Sequence, residues 1–155
     1  MNMLLVEDDH LQARWIKEGL LRSFPGATIE VISTELGFRS KLQEMTEQVP
    51  DVFIMDVMLR WTDPTPDLKP PPEEVRKEGF FRAGLRCARL LAEQPSTRHR
   101  PVILYSVLER SDIASDLKDE PNVHHLRKDS TLEPLVRRIQ ELLAKQLQVS
   151  PEPQQ

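Results

Sequence analysis

Three short apolar runs, Met3–Val6, Val52–Met55 and Val102–Tyr105, contain no charged residue, and each stops at a polar side chain. A strand with one wet face alternates apolar with polar residues. Unbroken runs of this length therefore mark strands covered on both faces, the situation of a parallel sheet whose crossover helices lie above and below it. Ala27–Ile32 and Asn122–Leu126 are two weaker strand candidates. Helical stretches fill the intervals. The first carries Leu11, Trp15, Leu20 and Leu21 near helical spacing. The second covers Glu35 to Glu47, with Leu36, Phe38, Leu42 and Met45 as core candidates. The third covers Glu74 to Glu93, with Ala83, Cys87, Leu90 and Leu91 on one stripe. A short fourth covers Ser111 to Leu117, and the last runs from Leu132 to Leu147 with Leu135, Ile139, Leu142, Leu143 and Leu147 aligned. Ser130 paired with Glu133, or Thr131 instead, is expected to cap that last helix. Strand–helix alternation repeated in this way predicts an α/β fold, a doubly wound five-stranded parallel sheet with right-handed crossovers. Such sheets bind ligands at the carboxyl ends of their central strands, where the strand order reverses.

Bulk properties narrow the function classes. The 155 residues suit one domain, expected over 1–148, with a polar, proline-containing tail at 149–155 that is expected to be disordered. A net charge of −4 and a pI near 5.6 leave no basic footprint, so no nucleic-acid partner is expected. No run of apolar residues is long enough to span a bilayer, and Met1–Val6 has no positive leader, so no membrane association is expected. The single cysteine, Cys87, excludes an internal disulfide framework and suits a reducing cytoplasm. One segment is unusual: residues 61–74 hold five of the 13 prolines (Pro64, Pro66, Pro70, Pro71 and Pro72) and read as an extended insertion.

The candidate chemistry lies at the strand ends. Glu7, Asp8 and Asp9 follow the first strand and Asp56 closes the third. Parallel strands end on the same edge, so these acids converge. At about 5 Å and an effective dielectric near 20, each pair repels by roughly 3 kcal/mol. A compensating cation is needed, and Mg²⁺, which takes carboxylate, water and phosphate oxygens, is the natural one. Ser106 ends the fourth strand with a hydroxyl, and Lys128 follows the fifth with an ammonium. A nucleophilic carboxylate, a neutralising metal, a hydroxyl and a cation are the parts that phosphoryl transfer requires. His124 and His125 are neighbours on a strand and face opposite sides, which argues against a shared metal.

These residues, Met3–Asp9, Asp51–Leu59, Pro101–Ser106 and Leu126–Lys128, resemble the receiver domain of bacterial response regulators over nearly the whole chain, Met3 to Leu147. The resemblance implies a flavodoxin-like (βα)5 fold and a non-enzymatic, single-domain response regulator of a two-component phosphorelay. Asp56 is then the phosphoacceptor, and Glu7, Asp8, Asp56 and the Met58 backbone carbonyl hold Mg²⁺. Ser106 is the switch hydroxyl, Lys128 the phosphate-contacting lysine, and His125 occupies the rotating switch position. Implied partners are a sensor histidine kinase or histidine phosphotransfer protein and a downstream protein target. Asp9, one place beyond the acidic pair, is expected to cap the first helix.

Several positions depart from that pattern. Arg60-Trp61 replaces the usual proline after the phosphoacceptor, and the glycine turn into the next helix is displaced to Gly84-Leu85. Val107 replaces a small residue beside the switch hydroxyl, with crowding of the phosphoryl pocket as the expected result. Asp129 follows the lysine in place of proline. Met58 and Leu108 stand where family members orient attacking water, which implies slow self-dephosphorylation. Two alternatives follow: a phosphorylation-independent pseudo-receiver scaffold, and a Mg²⁺-dependent aspartyl-phosphate hydrolase. The second normally carries an acid two residues past the nucleophile, where this chain has Met58.

Overall fold

The structure, a computed structural model, describes residues 1–149. Five parallel strands form one sheet in the order β2-β1-β3-β4-β5. They are β1 (Asn2–Val6), β2 (Thr28–Ile32), β3 (Val52–Met55), β4 (Val102–Ser106) and β5 (Val123–Arg127). The helices are α1 (His10–Ser23), α2 (Glu35–Glu44), α3 (Glu73–Glu78), α4 (Ala83–Glu93), α5 (Arg110–Leu117) and α6 (Glu133–Val149). The continuous apolar runs do form the central strands, and the period of two sorts them. Leu4, Val6, Phe53, Met55 and Leu104 face one layer with Phe38, Leu42, Cys87, Leu91 and Ile113. Met3, Leu5, Ile54, Ile103 and Tyr105 face the other, against Ala13, Ile16, Leu20, Leu135 and Ile139. Each fully buried aliphatic or aromatic side chain contributes about 1.5–3 kcal/mol relative to exposure, so these two layers hold the helices to both faces of the sheet.

Several helix faces differ from the sequence expectation. In α1 the buried stripe is Ala13, Ile16, Gly19 and Leu20, while Leu11, Trp15 and Leu21 are exposed. Leu36 and Leu147 are exposed as well. Their spacing fits a helix, but the direction in which the helix packs on the sheet decides which face is covered. Helix α6 starts at Glu133, after both Ser130 and Thr131, and Val149 closes it, although the tail was expected to begin there. The expected disorder at 150–155 lies outside the described residues.

The expected single helix from Glu74 to Glu93 is broken into two. α3 ends at Gly79, whose φ of +76° lies in the left-handed region that a side chain disfavours. A 3-10 turn, Phe80–Arg82, then leads into α4. Buried ion pairs hold this arrangement in place. Glu35, fully buried at the start of α2, accepts two hydrogen bonds from Arg86 (2.6 and 3.0 Å) and a further one from the Arg39 Nη2 (2.8 Å). Arg86 also donates to the Gly79 carbonyl (2.9 Å), and Arg39 reaches Glu74 (2.9 Å). Trp61 packs under Arg39, whose guanidinium carbon is 5.3 Å from the ring centroid. Backbone N–H groups of Glu35 and Leu36 donate to the carbonyls of Arg60 and Trp61 (3.0 and 2.9 Å). The proline-rich insertion is thus anchored to α2 at both ends, at Glu35 and Leu36 on one side and at Arg39 on the other, and α3 with its following turn is tied to α4.

Candidate functional site

The strand order places β1 beside β3 at the point where the order reverses, and the carboxyl ends of both strands carry acids. In the parallel register Val6 pairs with Met55, so Glu7 and Asp56 leave the sheet side by side. Their backbones are fixed: the N–H of Glu7 donates to Ile32 O and that of Asp56 to Val6 O, both at 3.0 Å. Lys128, just past β5, is drawn toward the sheet by its N–H bond to Ser106 O (2.8 Å). Its ammonium donates to Glu7 Oε2 (2.8 Å) and Asp56 Oδ2 (3.0 Å). Residues 121 positions apart in sequence therefore share one charge-assisted cluster. The other Asp56 oxygen, Oδ1, accepts the Val57 N–H at 2.7 Å and the Met58 N–H at 3.4 Å.

Burial sets the electrostatics. Glu7 is 2% exposed and Asp56 8%. Burial, followed by the charge of Asp56, pushes the Glu7 carboxyl up to about 7, against the opposing hydrogen bond from Lys128. Burial alone would lower the Lys128 ammonium. Its hydrogen bond to Glu7 and the charge of Asp56 outweigh that and raise it, so the cation is held.

Asp9 caps α1 as expected, accepting from the N–H groups of Leu11 (2.9 Å) and Gln12 (3.0 Å). Asp8 lies on the other side of the strand end and turns to Arg60, whose N–H donates to Asp8 Oδ2 at 3.2 Å. Ser106 is fully buried at the end of β4, and its hydroxyl accepts the Leu108 N–H at 3.3 Å. His125 sits in β5 opposite Leu104, half-buried. Its Nε2 is buried without a partner among the described residues. Burial lowers its pKa, and nearby Arg110 lowers it further. Val107 projects to the surface, where it lines a cleft with Leu11, Trp15 and Lys128. The crowding expected from it is thus at the rim.

The geometry brings Glu7, Asp56 and Lys128 together and sets Asp8 beside Arg60. Sequence reasoning missed two contacts. In the sequence Arg60 marks only the absence of a proline. Gly84 was noted only as a displaced turn, yet its N–H donates to Val57 O at 2.9 Å, directly beneath Asp56. Glu7, Asp8 and Asp56 offer carboxylate oxygens of the kind a small hard cation takes, with the Lys128 ammonium lying on Glu7 and Asp56. Among the described residues no three His, Cys, Asp or Glu side chains are grouped so that they could hold a metal ion.

No protein-family model matches the sequence, and no curated protein does. Solved structures do match the fold. The phosphorylated cyanobacterial phytochrome response regulator RcpA is similar at 18% identity and a TM-score of 0.65, over 99% of this chain and 98% of that one. The Mn²⁺-bound response regulator Rcp1 is 19% identical with a TM-score of 0.63, over 99% of each chain. The signal receiver domain of a histidine kinase from Syntrophus aciditrophicus is 21% identical with a TM-score of 0.66, over 99% of this chain and 96% of that one. The chain has the fold of response regulator receiver domains. Among the described residues no helix is long and apolar enough to cross a membrane.

Proposed function

We propose that this chain is a cytoplasmic response regulator receiver that accepts a phosphoryl group on Asp56 and signals through protein–protein contact. The observation that carries this reading is Lys128 Nζ, within hydrogen-bond reach of both Glu7 and Asp56 at the switch point of the sheet. The donor is a phosphohistidine on a sensor kinase or phosphotransfer protein, or a small acyl phosphate. Asp56 Oδ attacks phosphorus, an acyl-phosphate bond forms, and the P–N or P–O bond to the donor breaks with the leaving group departing. The Val57 and Met58 N–H groups hold the carboxylate in place, and Lys128 stabilises charge on the transferred group. Glu7, Asp8, Asp56 and the Met58 carbonyl are the groups that would hold Mg²⁺. When bound, the ion neutralises phosphoryl oxygens as they approach the carboxylates.

The phosphorylated aspartate attracts the Ser106 hydroxyl, which then gives up its bond to the Leu108 N–H. Ser106 pairs with Arg127 across β4 and β5, so that exchange reaches β5 and the face formed with α5 and α6. A 1:99 to 99:1 shift needs about 5.5 kcal/mol of differential interaction, within the range of two or three charge-assisted hydrogen bonds. Met58 and Leu108 offer no side chain to orient water, so the phosphoryl group is expected to persist for many minutes.

The test is intact-mass measurement after incubation with acetyl phosphate, with and without Mg²⁺, beside Asp56→Ala. One phosphoryl adduct that needs Mg²⁺ and is absent from the variant supports the reading. A second reading, a phosphorylation-independent scaffold, draws on Asp8 being turned to Arg60; an unmodified wild type under the same conditions favours it. Turnover of a generic phosphate ester would instead point to a hydrolase.

A further inference from the structure

Leaving the site, the chain turns back over Asp8, the second acid after β1. The Arg60 N–H donates to Asp8 Oδ2 at 3.2 Å, and the guanidinium Nε lies 3.8 Å from the same oxygen. Its Nη1 is 3.6 Å from Asp63. The Arg60 backbone has no freedom to drift, because its carbonyl accepts the N–H of Glu35 at the start of α2 (3.0 Å). The next residue, Trp61, is held in the same way by Leu36 N–H and lies against Arg39. Glu7, Asp8 and Asp56 thus each face a cation supplied by the chain: Lys128 for Glu7 and Asp56, Arg60 for Asp8.

We propose that Arg60 is an internal counter-ion that competes with the divalent cation for Asp8. The inference rests on the receiver reading above and adds to it a residue that sets metal affinity. A guanidinium keeps its charge at every accessible pH, so it opposes an incoming cation throughout the physiological range. It does not lock the site. The pair is partly exposed, with 47% of the Arg60 side chain and 26% of that of Asp8 open to solvent, and pairs of this kind are weak. The guanidinium can therefore swing out when a divalent ion arrives, while the backbone N–H keeps the loop in register. Divalent affinity is lowered but not abolished, and the charge at the acids is reduced before any metal binds.

The experiment is calorimetric titration of the full chain with MnCl₂ and with MgCl₂, for wild type, Arg60→Ala, Arg60→Gln and Arg60→Ala combined with Asp8→Asn. Intact-mass phosphorylation with acetyl phosphate is run on the same samples. Both neutral variants are expected to bind Mn²⁺ about fivefold more tightly than wild type, the scale of one exposed ion pair, and the gain is lost when Asp8→Asn is added. Unchanged or weaker binding in both neutral variants overturns the proposal. So does an absence of Mn²⁺ binding in all chains while Asp56 is still phosphorylated, an outcome that leaves the receiver reading standing. Tighter binding in the neutral variants without any adduct on Asp56 supports the role of Arg60 and counts against phosphorylation instead.

Discussion

Gly84 packs its Cα against the main chain of Asp56: a β-carbon there would overlap the Asp56 carbonyl oxygen and lie 2.8 Å from the Val57 Cα. Both neighbours are backbone and cannot rotate away. Gly84→Ala is therefore expected to destabilise the fold by about 1–3 kcal/mol and to displace Asp56 from Lys128. Urea unfolding checks the first effect, and the yield of phosphoryl adduct per folded molecule checks the second. An alanine variant as stable and as reactive as wild type would show that the main chain here yields freely.

The buried Glu35–Arg86 pair makes a different prediction. Glu35 is fully buried, and Arg86 is 4% exposed. Replacing Arg86 by Met leaves the Glu35 charge short of its bidentate partner and is expected to cost roughly 3 kcal/mol, with Arg39 limiting the loss. Replacing both, Glu35→Leu with Arg86→Met, removes the uncompensated charge and is expected to recover most of that stability. Limited proteolysis of the same variants should show cleavage in the 61–82 segment first, because Arg86 also holds the Gly79 carbonyl.

His125 governs part of the response to acid. Burial depresses its pKa below the ordinary 6.5, and His124 shifts the same way for the same first reason. In the window between the depressed folded value and 6.5 the unfolded chain binds more protons. Stability is therefore present above that window and is lost as pH falls through it. Glu7 acts with the opposite sign, since its raised pKa of about 7 favours the folded state on acidification from 7 toward 4.5. His125→Phe also removes the unpartnered Nε2. The variant is expected to gain about 1 kcal/mol at neutral pH and more at pH 5.5, measured as the difference in urea midpoint at each pH. An equal difference at the two values would show that His125 does not titrate on unfolding.

Cys87 is fully buried within the layer between the sheet, α2 and α4, and its burial raises the thiol pKa. The thiolate is the reactive form, so the native chain is expected to resist alkylating reagents. Mass-spectrometric labelling in increasing urea should follow the unfolding transition. Rapid modification of the native protein would mean that α4 opens locally.

Much of this molecule was legible in the chain order. Met3–Val6, Val52–Met55 and Val102–Tyr105 suit strands covered on both faces, and parallel strands of that kind bring their carboxyl ends to one edge. That reasoning brought Glu7, Asp56, Ser106 and Lys128 to the same edge without any distance being known. The third helix was less legible, because helix-forming residues stand on both sides of Gly79 and a lone glycine inside such a stretch is tolerated. The break at Gly79 arises from a left-handed residue whose carbonyl is claimed by Arg86, a contact no local pattern announces. Leu11 and Trp15 failed for a related reason: a helix repeats every 3.6 residues, but its rotation on the sheet comes from the packing of Ala13, Ile16 and Leu20.

By itself, then, the sequence determined the α/β class, the edge at which the acids and the lysine meet, and Asp9 as the cap of α1. These follow from local periodicity and from the alternation of strands with helices. Only the tertiary structure decided which cation faces which acid, that Glu35 is the buried anchor of two arginines, and that Gly84 lies under Asp56. Those are contacts between residues tens of positions apart, created when the layers close, and their energies depend on burial that exists only in the folded chain.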